Sequence, residues 1–237
     1  SVTVRRRLLR RPASASRARA GVRGGGTGGP IATAGGPAGA DRLDERGVVE
    51  GEYERMLRAL RYRGNVIDGY PSRLHYFSEW LLDAEAKLLV KNMTDELGGV
   101  VDDEPIDFMS THPDAYRQLS DPDNLEVVRR VEELLSARGR HYIPEGRIAD
   151  VAPRFEPGDI IAATSTVSGR DVAHTGLAVR VDGELRLLHA PLVGDSVQVS
   201  ERSLAERIQA IDGQDGIMVA RPLEPRAASS RIAGGSR

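Results

Sequence analysis

The apolar positions of this chain follow one period in its first half and another in its second. In "EGEYERMLRALRY", Tyr53, Met56, Leu57 and Leu60 recur at helical spacing and Gly64 ends the run, which predicts a helix. A second helix is predicted over "SRLHYFSEWLLDAEAKLL". There Leu74, Phe77, Leu81, Ala84 and Leu88 form an inward stripe, Ser72 after Pro71 caps the start, and Trp80 belongs to the core. "IDFMSTHP" reads as a short strand that leaves into a turn at Pro113. After "DPDN", Leu125, Val128, Val131 and Leu135 predict a third helix, closed by Gly139.

From "PGD" at 157–159 the pattern shortens to that of strands. "DIIAATS", "VAHTGLAVRV", "ELRLLHA", "SVQVS" and "GIMVARP" are strand-like, with one helix, "SLAERIQAI", before the last. Helices first and an antiparallel sheet later predict an α+β fold.

The two ends lack such patterning. Residues 1–46 are rich in Arg, Gly, Ala and Pro and offer almost nothing to bury, so a disordered basic segment is expected there, with one domain over 47–224 and a second disordered tail over 225–237. Residues 1–40 hold eight arginines and no acid, a local +8 within an overall −2, which leaves residues 41–237 at −10. An acidic domain argues against a nucleic-acid surface, because phosphate binding relies on clustered Lys and Arg.

No apolar run approaches the roughly 20 residues of a membrane-spanning helix, and no core of about 7 to 15 apolar residues follows the basic start, so neither a span nor an export signal is visible. The chain has no cysteine, which removes disulfides and thiolate metal sites.

The densest chemistry lies in "DVAHTGLAVRVDGELRLLHAP", residues 171–191. Asp182-Gly183 is a two-residue hairpin signal, since a type I′ turn needs positive φ at both central positions. With that turn, Val181 faces Glu184 and Gly176 faces His189. His174 lies two residues before Gly176, so the two imidazoles share a face as diagonal neighbours, roughly 7 to 8 Å apart at Cα. Leu185, Leu187 and Ala178 share that face and make a partly dry wall against which the rings' protonation can be controlled.

Two histidines in contact suit either a metal or a base with its orienting partner. A metal wants a third ligand, and the candidates Asp171, Asp195, His75 and His112 form no motif that would assemble one, so no metal or other cofactor is expected. In the other reading one ring is a general base and the second holds its tautomer, which calls for a Cys or Ser at a helix N-terminus facing the sheet.

"PGDIIAATSTVSGRDVAHTGLAVRVDGELRLLHA" resembles the sheet half of the papain-like, NlpC-type cell-wall hydrolases, with a Gly-Asp turn, a His-x-Gly strand and a His-Ala strand. "YPSRLHYFSEWLLD", "FMSTHPDAYRQL", "YIP" and "GIMVARP", in that order, resemble the N-acetylmuramoyl-L-alanine amidase-like family within that superfamily, over about residues 50 to 223.

The resemblance implies a papain-like α+β fold and hydrolysis of the amide between the lactyl group of N-acetylmuramic acid and L-alanine in peptidoglycan fragments (muropeptides). His174 matches the base and His189 the residue that orients it. It places Tyr70, Ser72, Arg73, His75 and Tyr76, and the Ser110–His112 segment with Thr111 and His112, near the cleft, with Arg73 and His75 as partners for polar groups of the substrate. Read without it, Ser72 is a helix cap, Arg73 a surface charge, and His75 and His112 hydrogen-bonded structural residues; His141 carries no signal. A monomer is expected, and by analogy a periplasmic or secreted one.

The family's nucleophile is a cysteine upstream of "YPSRLHYFS", and this chain has none; Ser1, Ser14 and Ser16 lie in low-complexity sequence with no helix to aim them. Three accounts compete: a non-catalytic relative that keeps the cleft, a truncated or misread start, or a different catalysis. The second is expected, because Arg, Gly, Ala and Pro without acids is what GC-rich coding DNA tends to yield out of frame. Loss of a nucleophile typically removes about 10³ to 10⁶ in rate, so the chain is expected to be inactive. Loss of its helix would leave a cavity costing several kcal/mol, and hence marginal stability.

Overall fold

The computed structural model describes residues 45–192 and 196–224, so the expected disordered segments 1–46 and 225–237 lie, but for residues 45 and 46, outside the described residues, as does the candidate ligand Asp195. Helix α1 spans Glu45–Arg61 and gives way at Gly64, whose φ of 59° no helix continues through. Its predicted stripe is not buried: Tyr53, Met56 and Leu60 are exposed.

Helix α2 spans only Phe77–Ala86. Ser72 therefore caps no helix. It closes a turn instead, its Oγ accepting the Asp68 N–H at 2.9 Å and donating to the Gly69 carbonyl at 2.8 Å. At the other end the chain reverses at Leu88, which has φ 59° and is half exposed, so its place in the inward stripe is lost. Trp80 is half-buried rather than core.

Three short strands that the apolar pattern does not betray then appear: β1 (Val90–Asn92), β2 (Val100–Asp102) and β3 (Arg140–Pro144). Between β2 and β3 lie α3 (Phe108–Thr111) and α4 (Pro122–Arg138). The segment read as a strand is thus a single β-bridge, Ile106 to Gly169, followed by one helical turn; Ile106 and Met109 are both buried. Helix α4 is the predicted one, capped by the Asp121 side chain and stopped by Gly139 at φ 68°.

A short α5 (Ile148–Val151) leads into β4 (Ile160–Thr164), β5 (Val172–Val181), β6 (Glu184–His189), β7 (Gln198–Val199), α6 (Leu204–Gln209) and β8 (Gly216–Pro222). The described strands form one sheet in the order β2-β3-β8-β4-β5-β6-β7, with β1 also on β8, and every pair is antiparallel. The α+β class holds, although three strands precede the main run.

Both faces of β4 and β8 are covered, which is why they read as continuous apolar runs. Ile161, Ala163, Ile217 and Val219 pack on Leu204 and Ile208 of α6, while Ala162, Met218 and Ala220 pack on Leu81 and Ala84 of α2. A bidentate ion pair fixes the ends of the same strands: the Arg221 guanidinium donates to the buried Asp159 carboxylate from Nε at 2.8 Å and Nη2 at 2.9 Å.

Candidate active site

The β5–β6 hairpin turns at Asp182 and Gly183, with φ of 52° and 83°, both positive as a type I′ turn requires. It pairs Val181 with Glu184 and Leu177 with Leu188, the register the turn predicts. One step further Gly176 lies opposite His189. A β-carbon on Gly176 would sit 2.7 Å from the Leu188 carbonyl oxygen and 2.8 Å from the Leu187 side chain, so the glycine permits this close approach of the two strands.

The result is a direct contact between rings. His174 Nε2 and His189 Nδ1 are 2.9 Å apart, with ring planes at 88° and centroids 5.0 Å apart. Such a contact needs one donor and one acceptor, so one proton sits between the rings. If His174 Nε2–H donates, His174 Nδ1 is left as a bare acceptor, the form a general base requires, and His189 carries its own proton on Nε2. Ala178, Leu185 and Leu187 on the same face belong to the main core. His189 is itself buried, at 6% exposure. Burial, and then the Arg207 cation on α6, hold both imidazoles below their ordinary range, and the two rings further oppose each other's charge at His174. The pair is therefore neutral at pH 7.

His174 opens onto a cleft of about 540 Å³, walled on one side by Arg73–Phe77 and Trp80 and on the other by Asp171–Thr175 of β5, with Leu60, Arg61 and Ala190 at its edges. Of the residues singled out in the sequence, Arg73, His75, Tyr76 and His174 line this cleft. Tyr70 and Ser72 are not among its lining residues. The Tyr70 ring packs on His75 at 4.5 Å, and its carbonyl accepts His75 Nε2–H at 3.1 Å, which leaves Nδ1 as the acceptor of that ring. Burial depresses the His75 imidazole as well.

Glu79 completes this wall: one carboxylate oxygen takes the Arg63 guanidinium, and the other accepts the His75 backbone N–H at 3.0 Å. Tyr76 turns its hydroxyl away from solvent, donating to Glu132 at 2.6 Å and accepting the Met109 N–H at 2.9 Å, and burial raises its pKa strongly.

Thr111 and His112 are not among the cleft residues. Both are exposed, bonded to their own helical turn: Thr111 Oγ1 donates to the Asp107 carbonyl at 2.8 Å, and His112 Nδ1 to the Phe108 carbonyl at 2.9 Å, with its ring stacked on Phe108.

Asp171, considered in the sequence only as a metal ligand, has a different place. Its carboxylate, 4% exposed, accepts the Ser78 N–H at 2.8 Å and so caps α2 from the strand that carries His174. Among the described residues no group of three or more His, Asp or Glu side chains could hold a metal ion. Among the described residues the cleft lining contains no serine, and its one aliphatic hydroxyl, Thr175, leaves β5 on the face opposite His174. Ser78, at the start of α2, lines a separate hollow and its hydroxyl is buried.

The profile of the AmiA-like family, described as N-acetylmuramoyl-L-alanine amidase-like, matches residues 42–217. A crystal structure of an N-acetylmuramoyl-L-alanine amidase from Bacteroides uniformis is similar with a TM-score of 0.70 and 34% identity, over 74% of this chain and 75% of that one. A second structure from that organism gives 0.70 and 34% over 77% of each. A Bacteroides fragilis protein described as a candidate xylanase gives 0.69 and 35%, over 78% of this chain and 79% of that one. No curated protein matches the chain. With a match over most of its length, in a range that includes the described cleft residues, the chain belongs to the AmiA-like, N-acetylmuramoyl-L-alanine amidase-like family.

Proposed function

We propose that this domain binds peptidoglycan fragments with the lactyl–L-alanine amide at His174, in a papain-like, NlpC-type arrangement. His174 is the general base through Nδ1, and His189 fixes its tautomer. The observation that carries the reading is the 2.9 Å contact between the two rings at the mouth of a cleft of about 540 Å³. A neutral base held by a neighbour in a partly dry site is what activation of a nucleophile needs. Arg73 and His75 on the facing wall supply polar contacts for sugar and peptide.

The 237 residues contain no cysteine, and among the described residues the cleft lining offers no serine in its place, so the sequence as it stands binds without cutting. Glycoside hydrolysis finds less support, because it uses two carboxylates roughly 5 to 9.5 Å apart across the bond. Among the described residues the cleft holds one carboxylate, Asp171, and that one is committed to capping α2.

Incubation with purified muropeptides, followed by calorimetry and mass detection, tests both parts. Saturable binding with no free peptide is expected. Release of L-alanyl peptide overturns the inactivity, and absence of binding overturns the substrate.

A further inference from the structure

Behind the histidine pair lies a second opening. His189 borders a hollow of about 420 Å³ whose other walls include Gln198, Arg202, Arg207 and Ile211; its ring touches that of His174, which lines the cleft, so the hollow adjoins the cleft at the histidine pair. Arg207 is its anomaly. The guanidinium is half-buried, and its Nη1 is shut off from water with no acceptor among the described residues. A guanidinium stays charged in proteins, and a buried donor left unmade is unfavourable, so among the described residues Nη1 lacks a partner. The nearest acid in sequence, Glu206, is occupied elsewhere, accepting from Ser203 N–H and Oγ–H in the capping box of α6. The Ser200 hydroxyl, which also borders the hollow, is committed to Leu187 N–H and the Arg202 carbonyl.

We propose that this hollow is a carboxylate subsite, in which Arg207 receives a carboxylate from the peptide portion of a fragment whose amide lies at His174. The inference rests on the proposed function. A peptide attached through its N-terminus to the scissile amide must carry at least one carboxylate further along, and a planar guanidinium bordering the hollow fits that group in a forked pair of hydrogen bonds. Charge agrees in size: the lining has Arg202, Arg207 and Glu201, a net +1, which suits a single carboxylate better than a phosphate dianion. The Arg207 cation also depresses both imidazoles, so its neutralisation by a bound carboxylate raises them.

The test compares N-acetylmuramoyl-L-alanyl-D-glutamate with the same compound carrying carboxamides in place of both carboxylates. The acid is expected to bind roughly tenfold more tightly, the order of one charge-assisted hydrogen bond. Arg207→Gln should abolish that preference and leave affinity for the diamide unchanged, while Arg207→Lys should keep part of it. In the unaltered chain the acid, and not the diamide, should raise the titration midpoint of the His189 ring followed by NMR. Equal binding of both compounds overturns the subsite and leaves the proposed function standing. A preference that survives Arg207→Gln but disappears in Arg73→Gln moves the carboxylate to the cleft and overturns the inference too. If neither compound binds, the substrate reading falls together with it.

Discussion

The carboxylate of Asp171 accepts the backbone N–H of Ser78 at 2.8 Å, joining residues 93 positions apart in sequence. This contact ties the start of α2, which walls the cleft, to the strand that presents His174. The carboxylate is favoured there by the free N–H groups of a helix start and disfavoured by burial, which dominates and raises its pKa.

Asp171→Ala leaves the Ser78 N–H without a partner in a buried place and is expected to destabilise the fold by about 1–3 kcal/mol. Asp171→Asn keeps an acceptor and removes the buried charge, so its cost should be smaller. The sign of its pH dependence is fixed by the raised pKa: the contribution of Asp171 is complete below the unfolded carboxylate range and is lost as pH rises through the folded value. Urea unfolding at pH 4.5 and 7.5 checks this. Equal destabilisation by Asn and Ala would show that the carbonyl-type acceptor does not hold the helix.

Gly176→Ala brings a β-carbon within 2.7 Å of the Leu188 carbonyl oxygen, which is backbone and cannot swing aside. Overpacking of this kind costs about 1–3 kcal/mol and should spread the hairpin where the two rings meet. Gly183→Ala, in open space but at φ 83°, is strained only by its backbone and should leave the rings in contact. Thermal unfolding of the two variants, read beside the NMR signals of the histidine rings, separates the effects. Unchanged ring signals in Gly176→Ala would count against the close approach.

How far these features were legible in the sequence depended on the range of the interaction. The Asp182-Gly183 turn and strict alternation along β5 and β6 fixed the faces of His174 and His189, because a two-residue loop leaves no freedom of register. The Asp171 cap was invisible, since nothing local distinguishes an acid that will meet a helix start 93 residues away. Helix α2 starts five residues later than the apolar spacing predicts, because Leu74 continues that spacing into a segment that Ser72 and Glu79 hold in turns. Strands β1 and β2, three residues each, are shorter than any period can reveal. Thr111 and His112 came from the resemblance alone, and the backbone of α3 engages both side chains away from the cleft.

The histidine pair makes its own pH dependence. Both rings, like His75, have folded pKa values below the unfolded value of about 6.5. At pH 7.5 neither state carries the proton; as pH falls below about 6.5 the unfolded chain gains protons that the native chain refuses. Stability should therefore be fully present above that pH and decline on acidification. His174→Gln/His189→Gln should flatten the part of the slope that belongs to the pair, leaving that of His75. An identical slope in the double variant would show that the rings titrate as free imidazoles.

Tyr76 and Glu132 join α4 to α3: the hydroxyl bridges the carboxylate and the Met109 N–H, and the same carboxylate oxygen accepts the Ser110 N–H at 3.0 Å. Glu132 is 2% exposed, so its second oxygen, which meets no donor among the described residues, makes the carboxylate depend on the contacts it has. Tyr76→Phe should cost about 1–3 kcal/mol by taking one of two donors from the buried Glu132 oxygen and leaving the Met109 N–H unpaired. Glu132→Gln replaces the acid with an amide that still accepts from the hydroxyl, and should cost less. In the double variant the loss should fall short of the sum of the two, because each change removes part of what the other held. Strict additivity in denaturant unfolding would mean that Tyr76 is retained for its ring at the cleft wall and that the hydroxyl bridge contributes nothing to the position of α3.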